Sequence, residues 1–199
     1  MGTIDYNKRA EHLAKDLLGK TIIYKNKYSD ELKYMITVTE AYPFDETEAI
    51  SYVNKYKSGK GHDALIGEDK IGTCFVYGGM LHIVCKGGMK KRDDGTEEYR
   101  CDNILIRGAI KIDNDKLKPE CDTLNFVTGR PYVLCHDILK VTLNQFKINQ
   151  SDGNSSSGVT IDDYKSYADK NIKSCKRVNI NNDSKLRFYI DKDCILKEV

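Results

Sequence analysis

The stretch YMITVTEAYPFDE, residues 34–46, alternates β-branched and other residues and then meets Pro43, the pattern of a β-strand and its stop. Alternation puts Tyr34, Ile36, Val38, Glu40 and Tyr42 on one face and Met35, Thr37, Thr39 and Ala41 on the other. Glu40 thus falls on the more apolar face, between a valine and a tyrosine. A carboxylate is rarely put there unless it is paired or used.

Further signals surround this strand. Residues 5–19 read as a helix, with Ala10, Leu13, Ala14, Leu17 and Leu18 at helical spacing, Asp5 as a capping residue and Gly19 as the stop. TIIYK (21–25) reads as a partner strand, joined to the first by the turn-like NKYSDE. Residues 52–69 are rich in glycine and lysine and read as loop. TCFVYGGMLHIVC (73–85) reads as two strands around a Gly78-Gly79 turn, and Asp94-Gly95 marks a second, solvated hairpin whose basic and acidic residues nearly cancel. ILIRGAI (104–110) is a buried strand carrying one cation, Arg107. RPYVLCHDILKVT (130–142) suits a short helix, NQSDGNSSSG (149–158) is a low-complexity polar loop, and the C-terminal KLRFYI suits a strand. The expected fold is α+β: a single mixed domain over residues 1–199, with a curved antiparallel β-sheet flanked by helices and a protruding β-hairpin.

Composition narrows function only by exclusion. The chain has 199 residues, 40% hydrophobic and 31% charged, which suits an ordinary globular protein. No apolar run approaches the ~18 residues of a membrane span, and the N-terminus lacks an apolar signal-peptide core, so an intracellular location is expected. Gly2 follows Met1, but Tyr6 stands where a myristoylation pattern requires Ser or Thr. The seven cysteines are scattered without a C-x-x-C pair, and the four histidines do not cluster with them. That spacing suits reduced thiols better than zinc. A net charge of +2 neither demands nor forbids nucleic acid.

Two anomalies carry chemistry. Glu40 and Arg107 are opposite charges, each lodged in an apolar strand. Paired, they describe a structural ion pair or an active site equally well, and periodicity leaves both open. The second anomaly is aromatic: thirteen tyrosines and five phenylalanines, but no tryptophan. Tyr42, Phe75 and Tyr77 lie in or beside strands near glycine turns, where rings either pack in a core or stack on a planar base. His62, His82 and His136 read as structural. No phosphate-binding glycine loop or nucleophile triad is present.

LAKDLLGK, TVTEAY, VYGGM, LIRGA, TGRPYVLC and LRFYI stand in this order along nearly the whole chain. The set resembles the alkyladenine (3-methyladenine) DNA glycosylase family. The resemblance implies a monofunctional hydrolase that flips alkylated or deaminated purines out of double-stranded DNA and cuts their N-glycosidic bond. It needs neither metal nor cofactor and acts as a monomer, in the cytoplasm if bacterial and in the nucleus if eukaryotic. It casts Glu40 as the base that activates water, Arg107 as its neighbour, and Tyr42 and Phe75 as the rings that sandwich the base. Tyr77 becomes the wedge that fills the vacated stack if one glycine of the pair is a turn insertion; an ungapped match puts Gly78 there. Cys85 replaces an asparagine that crowds the family's pocket wall. The family's histidine shortly after the motif tyrosine is missing from TEAISYVNK. That departure motivates an alternative, a DNA- or nucleotide-binding module of the same fold with impaired catalysis.

Overall fold

In the computed structural model, residues 4–25, 31–45, 60–113, 116–118, 146–147, 158–163, 171–177, 180 and 183–191 are described. Among them one helix, α1 (Ala10–Asp16), is followed by strands β1 (Lys20–Lys25) and β2 (Glu31–Tyr42). A short α2 (Lys60–Asp63) and a 3-10 turn (Glu68–Lys70) precede β3 (Thr73–Tyr77), β4 (Met80–Lys91) and β5 (Glu97–Asp113). The remaining strands are β6 (Lys116–Lys118), β7 (Phe146–Lys147), β8 (Gly158–Asp163), β9 (Ile172–Cys175) and β10 (Arg187–Ile190). The described strands form one strongly curved antiparallel sheet, in the order β7-β3-β4-β5-β2-β1-β8, with β10 added to β2, β9 to β10 and β6 to β5. The α+β class and the curved sheet expected from sequence are what is found. The short helix expected at 130–142 lies outside the described residues.

β2 is the branch point of the sheet. β5 runs along one of its edges, while the other edge is shared: β1 pairs with the first half, ending at Thr21 opposite Met35, and β10 takes over from Val38. The handover happens at Gly19, whose φ of 81° turns the chain and whose N–H donates to the carbonyl of Ile36 at 2.9 Å. The β2–β5 ladder is also irregular here. Ile36 opposes Ala109, Val38 opposes Gly108 and Thr39 opposes Ile106, so the register steps over Thr37 on one strand and Arg107 on the other. Such bulges re-aim a side chain. Because β2 is flanked on both sides and covered on both faces, everything from Tyr34 to Tyr42 is buried. The more apolar face that alternation assigns to Glu40 is therefore not distinguished by burial, since the residues of both faces are buried here.

The larger core, with Leu13, Leu17, Met35, Ile83, Ile104, Ile106 and Phe188, lies between the sheet and α1. Thr39 Oγ1 donates to the Ala14 carbonyl at 2.8 Å across it. A smaller cluster of Ala64, Leu65, Phe75, Val84 and Cys101 forms on the opposite side, under residues 60–71. Residues 60–69 are thus partly helical rather than all loop. The helix is also shorter than the periodicity predicts. Asp5 accepts from the Asn7 N–H in a local turn and does not cap it. The cap comes from the sheet instead: buried Asp102 of β5 accepts from the Ala10 N–H at 2.9 Å, from Arg9 Nε at 2.7 Å and from the Phe44 N–H at 2.8 Å.

Both expected hairpins form. Gly78 and Gly79, with φ of 58° and 74°, make the two-residue turn between Tyr77 and Met80, the geometry that twisted hairpins favour. The Asp94-Gly95 turn joins β4 to β5, where Glu98 is paired with Arg92 and Arg100. In Asp102→Ala two backbone N–H groups, the buried one of Ala10 and the half-buried one of Phe44, lose their acceptor. It is expected to lower stability by at least about 2 kcal/mol, read by denaturant unfolding, with α1 opening first in hydrogen exchange.

Candidate active site

Directly opposed residues of antiparallel strands share a face. Following the register from Phe75, the row runs through His82, Leu105, Glu40 and Arg187 to Cys175, crossing β3, β4, β5, β2, β10 and β9. The next row on that face holds Tyr42, Asn103 and Val84. The fold thus brings Glu40, Tyr42 and the Phe75 neighbourhood to one side of the sheet, away from α1.

Glu40 is fully buried, and Arg187, Tyr42 and Arg107 are among the side chains that hydrogen-bond to it. Arg187 Nε donates to Oε1 at 2.7 Å, with Nη2 2.6 Å from the same oxygen. On Oε2 the Tyr42 hydroxyl donates at 2.9 Å and Arg107 Nη1 at 3.1 Å. The Glu40–Arg107 pairing expected from the two anomalies is present, with a second guanidinium that sequence reasoning did not single out. Tyr42 is clamped further. The Arg177 guanidinium lies 4.9 Å from its ring centroid, and Arg177 Nη1 is anchored on the Ala41 carbonyl at 2.7 Å. Burial, and then the Glu40 charge, raise the Tyr42 phenol well above its ordinary value, so it stays a hydrogen-bond donor.

A closed packing void, too small to hold a water molecule, adjoins this centre, lined by Gly61, Leu65, Phe75, Tyr77, His82 and Asn103. Phe75 stacks on His82 at a centroid distance of 5.0 Å and 15° between planes. His82 Nδ1 lies 3.0 Å from Asn103 Oδ1. Tyr77 turns inward, its ring packed directly against Gly61. The wedge assignment of Tyr77 depends on one glycine of the Gly78-Gly79 turn being an insertion; here the Tyr77 ring packs inward against Gly61.

Cys85 is not brought together with the others. It opposes Asp102, one residue out of phase with His82 and Val84, and lies in the α1-side core. The expectation that it lines the same pocket fails on strand parity. Burial, then Asp102, push its thiol up. The residues missed were Arg187, Arg177, His82 and Asn103. Arg187 had a visible signal: in LRFYI it is a cation inside an apolar strand, the oddity that exposed Arg107 in ILIRGAI. Among the described residues no group of His, Cys, Asp or Glu is placed to hold a metal ion, and no helix is long and apolar enough to cross a membrane.

The site, a buried carboxylate under two guanidiniums with aromatic walls beside it, sits in a chain whose residues 4–194 match the family model of methylpurine-DNA glycosylase. The chain belongs to that family. None of the curated proteins matches it. Membership implies a DNA glycosylase, a hydrolase that acts on alkylated purines in DNA repair by base excision.

The His82 environment sets a pH dependence. Burial lowers its pKa from 6.5 to about 4, against the hydrogen bond to Asn103 and the Glu40 charge, which raise it. Between these values the unfolded chain binds a proton that the folded chain refuses, so stability is complete above pH 6.5 and drains away toward pH 4. The expected loss is on the order of 3 kcal/mol. His82→Gln keeps a polar partner for Asn103 but cannot titrate, and its unfolding free energy should be flatter over that window. An equally steep profile in the variant would contradict this assignment.

Proposed function

We propose that this glycosylase-family chain is a monofunctional enzyme that excises alkylated or deaminated purines from double-stranded DNA, with Glu40 activating the attacking water. The observation that carries the reading is the placement of Glu40. It is a buried carboxylate hydrogen-bonded by Arg187, Tyr42 and the partly exposed Arg107, on the same side of the sheet as the Phe75 and His82 rings. An N-glycosidic bond of a purine lies inside the base stack, so the nucleotide must be turned out of the duplex before any protein group can reach C1′. As the C1′–N bond breaks, its electron pair leaves with the base and the sugar takes oxocarbenium character. A purine alkylated at N3 or N7 already carries positive charge and leaves as a neutral base without a proton, whereas a neutral deaminated purine leaves once a ring nitrogen has taken a proton from solvent. Water then adds its oxygen to C1′ and gives a proton to the carboxylate. None of these steps requires a metal or an organic cofactor.

Roles follow from position. Arg107, partly exposed on its bulge, holds Oε2 and is the donor that substrate meets first. Tyr42, clamped between Glu40 and Arg177, offers a rigid ring as a platform, and Phe75 with Tyr77 supplies the apolar walls of the adjoining void. The single-domain reading of residues 1–199, action as a monomer, and work in the compartment that holds the DNA belong to the same proposal.

The purified protein is expected to release free purine from methylated or hypoxanthine-containing duplex DNA, and Glu40→Gln to lose at least about 100-fold of that rate. Release that ignores Glu40→Gln would overturn the mechanism. The complete burial of Glu40 favours one rival, a lesion-binding module with impaired catalysis. Tight lesion binding by the wild type with no base release would establish that rival instead.

A further inference from the structure

We propose that Arg187 is a positioning residue for this reaction: it fixes Oε1 of Glu40, so that Oε2 is the oxygen that takes the proton from water. The inference rests on Glu40 being the water-activating base.

The two oxygens of Glu40 are held differently. Oε1 faces two nitrogens of one guanidinium, Nε at 2.7 Å and Nη2 at 2.6 Å. That guanidinium cannot wander. Arg187 sits directly opposite Glu40 in the β10–β2 ladder, β9 pairs with all of β10 from Arg187 to Ile190 on its far side, and the Arg187 side chain is 3% exposed. Oε2 instead receives one donor from each of two separate side chains, Tyr42 and Arg107. Arg107 projects from the bulge and is 13% exposed, the most accessible of the charged groups on Glu40 that the geometry brings together. An incoming water or sugar therefore reaches the carboxylate by displacing a donor on Oε2, while Oε1 stays tied to the sheet.

The anchor matters because the terminal torsion of a glutamate is soft and broad. Without Arg187 the carboxylate turns toward Arg107 and Tyr42, and Oε2 no longer keeps a fixed direction toward the reacting carbon. Misplacement of about 1 Å lowers a rate by about 100-fold without altering what the rest of the site binds. Arg107 and Arg187 thus divide the work: one guards the reacting oxygen, the other sets its aim.

The test uses the full chain with a methylated duplex, measuring single-turnover base release and lesion-duplex affinity separately. Arg187→Ala is expected to lose about 100-fold in release with affinity unchanged, and millimolar guanidinium ion to restore part of the rate where urea does not. Arg187→Lys, which keeps the charge but not the two-nitrogen approach, should fall between them. Wild-type rates in either variant, or a joint loss of rate and affinity with no rescue, would overturn the proposal. If the wild type itself released no base, the reading of Glu40 would fail. Crystal structures would then still decide the positioning role. Glu40 should rotate away from β10 in Arg187→Met and keep its orientation in Arg107→Met; an unchanged Glu40 in Arg187→Met would overturn it.

Discussion

A carboxylate sealed in the middle of a sheet, facing guanidiniums from the strands on either side, is the constraint from which the rest of this structure follows. Taking Glu40 out of water is tolerable only if cations and donors reach it, and they reach it from β5, from β10 and from β2 itself. β2 must therefore be flanked by two strands at that point, which is why β1 gives way to β10 after Gly19. It must also meet a bulge in β5, since the irregular register at Arg107 accompanies the turn of that side chain toward Glu40.

Among the described residues Asp102 is, like Glu40, a fully buried carboxylate, and the contrast is informative. Asp102, on the α1 side, accepts from Arg9 and from two backbone N–H groups, which cannot swing away without moving the start of α1 or the chain just after β2. Glu40 accepts from side chains instead, and one of them, Arg107, is partly exposed on its bulge. Both are desolvated acids in the same sheet, yet one is tied to main-chain donors and the other to side chains.

Much of this was legible in the sequence, for local reasons. Alternation and the glycine pairs located β1 to β4 and both hairpins, and the charge oddities of Glu40 and Arg107 led to a pair that does meet. What was not legible depends on distance along the chain. Arg187 and Glu40 are 147 positions apart, and no local pattern joins them. The helix was overextended because its cap, Asp102, is supplied 92 positions away rather than by Asp5. Glu40 was read as lying on the more apolar of two faces, and alternation could not show that flanking strands and covering layers bury both faces of β2. Cys85 was misplaced because matching motifs position by position carries no strand parity; the register shows it facing α1.

The central claim is that Glu40 is where water meets the anomeric carbon, and a structure bound to duplex DNA carrying a stable abasic-sugar analogue tests it most directly. The account expects the sugar turned out of the helix, with one ordered water hydrogen-bonded to Oε2 of Glu40 and lying about 3–3.5 Å from C1′. Oε1 should still rest on Arg187. A sugar bound elsewhere, with Glu40 still sealed beneath Arg107 and Tyr42, would contradict it.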